Sequence, residues 1–190
     1  MDIRQFFFKN RSYTPIPLII IALILARINS VSYFTGMGIM LIGEAIRFWG
    51  VVYAGSATRT TAAAGGSHLI TDGPFGLVRN PLYIGNFFLS FGVLIMSWAF
   101  MPWMILIFLI LFTMQYGAIV SLEEAYLAGH FGESYETYKS HVKRWIPRLI
   151  PYRGGEVTPV NFKKALRSER STAMSIITVW IMLLLRWKLF

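Results

Sequence analysis

The sequence contains no cysteine, three histidines, and nine acidic residues against eighteen lysines and arginines. The missing cysteines exclude disulfide bridges, thiolate nucleophiles and cysteine-ligated metal. His68, His130 and His141 show no helix-face ligand spacing such as HExxH, so no metal site is expected. Charge of either sign is scarce: 14% of residues are charged and 55% are hydrophobic. That balance lies outside the range of soluble domains and indicates an integral membrane protein. A net charge of +9 could suit nucleic acid. The basic residues instead flank apolar segments, the distribution expected against anionic lipid headgroups, so no nucleic-acid partner is expected. The expectation is one all-α domain over residues 1–190, a helical bundle packed in lipid without a separate soluble unit.

Five apolar segments approach the roughly 20 residues that a spanning helix needs. They are "PIPLIIIALILARINSV" from Pro15, "GMGIMLIGEAIRFWGVVYAG" over 36–55, "YIGNFFLSFGVLIMSWAF", "PWMILIFLILFTMQYGAIV" and "TAMSIITVWIMLLLRW" from Thr172. The third and fourth read as a hairpin that turns between Phe100 and Trp103, where Pro102 suits the first turn of the returning helix. No small-residue cleavage pattern follows the first run, so a signal peptide is not expected. Arg4, Lys9 and Arg11 precede the first segment, Arg59 and Arg79 lie between the second and third, and the stretch from Ser121 to Ser171 is also basic. By the positive-inside rule all three regions, the N-terminus included, face the cytoplasm.

Within the second segment, Gly36, Gly43 and Gly50 recur every seven residues, which stacks them on one face and lets another helix approach closely. Glu44 and Arg47 are three apart and can pair. Charges at membrane depth are candidates for function, with an ion pair that holds the bundle as the alternative.

The polar stretch "TDGPFGLVRNP" then precedes the third apolar run. Asp72, Gly73 and Pro74 force a turn, and Gly76 is free to take positive φ, so backbone N–H groups can face a ligand. Arg79 and Asn80 precede Pro81 at a helix N-terminus, where an anionic group is favoured. Arg79 as a headgroup anchor and Asn80 as an N-cap are the plainer readings. The hairpin brings Arg79 to Tyr83 and the pair Glu123–Glu124 to the same end, forming a polar pocket at the lipid boundary. Tyr135, Tyr138, Val142, Trp145 and Ile146 follow at three- and four-residue steps. They are expected to form an amphipathic helix, either a lid over that pocket or an interfacial helix without a ligand.

"LITDGPFGLVRNPLYIGNF", the hairpin, and "LEEAYLAGHFGESYETYKSHVKRWIP" together resemble the superfamily of isoprenylcysteine carboxyl methyltransferases and phospholipid methyltransferases. The likeness covers residues 69–148 well and the second segment loosely. It implies an S-adenosylmethionine site open to cytosol for the cofactor and to lipid for the substrate. Arg79, Asn80, Pro81 and Tyr83 fall on the family's arginine-histidine-proline-x-tyrosine motif, Glu123 and Glu124 on its glutamate pair, and Tyr138, Arg144 and Pro147 on its tail pattern. The resemblance thus implies cofactor binding by Gly73, Arg79, Asn80, Pro81, Tyr83, Glu123, Glu124 and Tyr138, and catalytic roles for Glu123, Glu124 and Arg144. Asn80 departs from the usual histidine; an amide can bind but cannot act as a general base. The expected acceptor is lipidic, either an isoprenylcysteine-like carboxylate or a phospholipid-like amine. Membrane sterol reductases, which use NADPH, share part of the pattern, and a non-catalytic scaffold would need only the helix packing. Nothing after Pro151 matches the motifs, so the basic segment and final helix over 159–190 are expected to close the bundle, contact a neighbouring protomer in a homo-oligomer, or border the lipid entrance.

Overall fold

The computed structural model describes residues 2–55 and 68–189, and Arg59 lies outside them. The described residues form seven α-helices and no strand: α1 (Ile3–Asn10), α2 (Ile16–Ile24), α3 (Ser30–Ala54), α4 (Pro81–Ser97), α5 (Trp103–Phe131), α6 (Glu133–His141) and α7 (Phe162–Leu189). Three of them, α3, α5 and α7, are long and apolar enough to cross a membrane, and α4 is a shorter apolar helix. The chain is a multi-pass integral membrane protein.

The expectation of one continuous spanning helix from Pro15 is corrected. With nine residues, α2 rises only about 13 Å, well short of a hydrocarbon core of about 30 Å. Its end has a local cause. The Arg27 N–H donates to the Ser97 carbonyl at the end of α4, and Asn29 then caps α3 through a reciprocal box with Ser32. The polar "RINS" stretch therefore starts a new helix rather than finishing the old one.

The closest packing joins α3 to α4, and glycine permits it. A Cβ on Gly43 would stand 2.5 Å from the Leu89 nitrogen, and one on Gly36 would stand 2.5 Å from the Gly92 carbonyl oxygen. Two glycines of α4 answer them: a Cβ on Gly92 would lie 2.6 Å from the Met40 nitrogen, and one on Gly85 would lie 2.8 Å from the Gly43 carbonyl oxygen. The backbones thus meet along interlocking glycine steps, as small residues allow in lipid. Around this pair, α7 packs through Leu183 against Tyr33, Met40 and Met96. Phe8 of α1 packs on Tyr116 and Ile119 of α5.

The hairpin forms as expected, with Pro102 preceding α5. Yet α5 continues without a break to Phe131, so Glu123 and Glu124 sit within a helix and not at its end. The amphipathic helix is shorter than its pattern suggested. Tyr135, Tyr138 and Val142 are buried, but α6 stops at His141, and Trp145 and Ile146 are exposed on irregular chain.

Candidate active site

At the end of the hairpin the chain builds a clasp around Glu124. Arg79 donates to Glu124 Oε1 at 2.9 Å, and Arg144 donates to the same oxygen at 2.9 Å and to Oε2 as well. This pairing holds the Arg144 guanidinium above its ordinary pKa, chiefly through the hydrogen bond to Glu124. The side chains of Arg79 and Glu124 are 10% and 13% exposed, so their ion pair is largely screened from water. One turn away along α4, the Tyr83 hydroxyl donates to Glu123 Oε1 at 2.6 Å. Both glutamates thus meet residues of the α4 entrance across the hairpin.

The irregular segment after α6 straps this entrance down. Arg79 N–H donates to the Lys143 carbonyl, Arg148 N–H to that of Leu77, and Tyr152 N–H to that of Gly76. Further on, Thr158 bonds both carboxylate oxygens of Asp72 through its N–H and its hydroxyl. Tyr138 donates its hydroxyl to the Phe75 carbonyl at 2.8 Å. Burial pushes the Tyr135 hydroxyl up to about 12 and raises that of Tyr138 too, so both stay neutral.

Two local expectations change. The positive φ belongs to Gly73, at 55°, not to Gly76, which lies in a 3-10 turn over Gly73–Gly76. A Cβ on Gly73 would meet the Tyr53 ring. Gly73 is not among the residues that line the cavity. Asn80 stands at the N-cap position of α4 without a side-chain cap bond. Its amide nitrogen donates instead to the Arg144 carbonyl at 3.1 Å, tying the strap to the helix.

These groups face a cavity of about 760 Å³, within the roughly 300–1,000 Å³ typical of small-molecule sites. Arg79, Asn80, Pro81, Tyr83, Glu123, Glu124, Tyr135 and Tyr138 line its polar end. Arg144 is outside the lining and acts on it through Glu124. The cavity continues between apolar faces that include Leu18, Val93, Phe108 and Val179.

Sequence reasoning missed part of the wall. Arg47 does pair with Glu44, at 3.7 Å, but its shorter contact is to Glu169 of α7, at 2.6 Å. Asn86 of α4 accepts from the same guanidinium. Glu169, Thr172, Ile176 and Val179 therefore place the final helix on this cavity, although no motif marked it. The polar positions on α7's inward face were the only available signal, and without a docking partner that signal has no direction.

A sequence profile for phospholipid methyltransferases matches residues 31–134, more than half of the chain. The chain belongs to this family. It is also similar to a protein-S-isoprenylcysteine O-methyltransferase of Schizosaccharomyces pombe, 32% identical over 127 residues, which are 65% of this chain and 52% of that protein. A cobalt-zinc-cadmium resistance protein, CzcN, of Cupriavidus metallidurans is 28% identical over 135 residues, 70% of this chain and 56% of that protein. The chain spans about half the length of these curated relatives. No solved structure matches it significantly. The match ends at residue 134, so Tyr138, Arg144, the strap and α7 all lie beyond it.

Proposed function

We propose that the protein transfers a methyl group from S-adenosylmethionine to a lipidic acceptor. The observation that carries this reading is the Glu124 clasp and the Tyr83–Glu123 bond on the polar end of a cavity whose other end is apolar. Family membership supports the same donor. The residues present fit it: Arg79 Nε is buried without a hydrogen-bond partner and can serve the cofactor's carboxylate, while Glu123 suits its cationic groups.

When bound, S-adenosylmethionine supplies an electrophilic methyl group carried on sulfonium sulfur. The protein's share is to align the acceptor with that carbon and to exclude water, which together account for most of such a displacement's acceleration. Glu124, gripped by two guanidiniums, fixes the geometry of the polar end. Asn80 holds the strap against it and Tyr138 ties α6 to the Phe75 turn, and neither supplies a base. Glu123 is the carboxylate that can take a proton from an acceptor that must lose one.

The polar end, the N-terminus and the strap face the cytoplasm in this reading, because the basic residues gather there. The helices α3, α4, α5 and α7 cross the bilayer, and α1 and α2 together make a bent further crossing, from Phe8 beside Ile119 to Arg27 beside Ser97, in one domain. S-adenosylhomocysteine should raise the melting temperature of the detergent-purified protein, and Arg79→Ala or Glu123→Ala should reduce that shift. Stabilisation by NADPH instead would favour a reductase, and stabilisation by neither would leave a scaffold.

A further inference from the structure

A second polar cluster lies on the same cavity, apart from the Glu124 clasp. Arg47, about two turns before the end of α3, has a side chain only 13% exposed. One terminal nitrogen donates to Asn86 of α4. The other donates to Glu169 Oε2 at 2.6 Å and to Thr172 Oγ1 at 3.3 Å, both on α7. Glu44 stands 3.7 Å from Nε. Asn86 also donates to the Tyr116 hydroxyl at 3.1 Å, and the Tyr116 ring lies 4.8 Å from that of Tyr83, between centroids. One layer of side chains therefore separates this cluster from the Tyr83–Glu123 pair.

The two clusters carry opposite excess charge. In the clasp, two guanidiniums share one carboxylate. Around Arg47, one guanidinium faces two carboxylates. Both terminal nitrogens of Arg47 are already engaged, and Glu169, 5% exposed, is fixed beside them. Glu44 stands behind Arg47 and outside the cavity lining, so an incoming head group meets a guanidinium whose charge is already countered and whose terminal N–H groups are taken, with the Glu169 carboxylate beside it. Arg47, Asn86, Glu169 and Thr172 all line the cavity, where it passes toward apolar Val93, Ile176 and Val179.

We propose that Glu169 is the specificity-determining residue of the acceptor site: by holding Arg47 against α7, it withholds the guanidinium and makes the cavity select an amine-headed amphiphile over a carboxylate-headed one. The inference rests on the methyltransferase reading and names the acceptor class for it. Specificity here comes as much from repelling the acid as from attracting the amine. It also gives α7 a part in the chemistry, from a position beyond the residues matched to the family.

The test uses the full chain in zwitterionic nanodiscs, with dodecylamine and dodecanoate as probes of equal chain length. Binding is measured by calorimetry and methyl transfer by label from S-adenosylmethionine. The wild type should bind dodecylamine at least about tenfold more tightly than dodecanoate. Glu169→Gln should shrink that ratio about tenfold or more, chiefly through KM, and Glu169→Asp should restore it. If Glu169→Gln fails to fold, the double change Arg47→Met with Glu169→Met removes both charges together, a replacement that buried pairs often tolerate. It should abolish the discrimination. A wild type that prefers dodecanoate, or a folded Glu169→Gln protein with an unchanged ratio, overturns the proposal. S-adenosylhomocysteine binding, followed in parallel, separates the two readings. Its absence from the wild type refutes methyl transfer, whereas its presence with an unchanged ratio refutes only the role of Glu169.

Discussion

Glu124 receives two guanidiniums, and only one of them is well buried; the Arg144 side chain is 40% exposed. Replacing Glu124 by glutamine leaves Arg79 and Arg144 facing each other without a counter-charge. The cost should fall between the roughly 1 kcal/mol of an exposed pair and the 3–5 kcal/mol of a broken buried one. Thermal unfolding in detergent checks this, and the strap should become sensitive to protease at the same time, because Arg144 anchors it. Tyr135 offers a test from the alkaline side. Burial holds its folded pKa up at about 12, above the ordinary tyrosine value of about 10. The stability it contributes is fully present below pH 10 and declines as pH rises towards about 12, where the folded protein must also ionise. Tyr135→Phe should flatten that part of the pH–stability curve.

Residue-level legibility followed the hairpin. Arg79, Tyr83, Glu123 and Glu124 could be placed together because one turn fixes which residues of α4 and α5 share an end. Arg144 was marked only by resemblance, since the irregular strap that carries it has no periodicity to read. Glu169 was not marked at all. It stands 122 positions from Arg47, and the docking of α7 on α3 depends on packing that no local pattern encodes.

At the scale of elements, the α3–α4 contact was half visible. The spacing of Gly36, Gly43 and Gly50 identified the face, but not the answering glycines of α4. Alanine at Gly43 or Gly92 would press a methyl group into backbone atoms that cannot turn aside, and should destabilise by about 1–3 kcal/mol or more. Alanine at Gly38 or Gly117, where nothing lies within 4 Å, should instead stabilise by about 0.5–1 kcal/mol through helix propensity. A ranking by melting temperature that does not separate these two pairs would refute the close approach. The length of α2 was less legible. Apolar composition continues through Leu25, and the helix ends for a reason supplied by another element, the Ser97 carbonyl.

For the whole molecule, the absence of cysteine becomes useful. A single cysteine can be placed at Ser140 on α6 or at Ser30 on α3, both exposed and at opposite ends of the bundle. Membrane-impermeant maleimide applied to intact cells should label Ser30→Cys and spare Ser140→Cys, with the reverse in inverted vesicles. Labelling in the opposite sense would turn the polar end of the cavity outward.

The interlocked glycines have a mechanical consequence as well. Neither α3 nor α4 can slide along the other without driving a carbonyl into a Cα, so the pair must move as one rigid body. Arg47 and Glu44 ride on one of these helices, Asn86 and Tyr83 on the other. Their relative depth is therefore fixed. When the surrounding bilayer thins or thickens, the hydrophobic mismatch must be absorbed by tilting the pair as a unit or by the looser helices around it. The polar levels of the cavity then keep their spacing in membranes of different thickness.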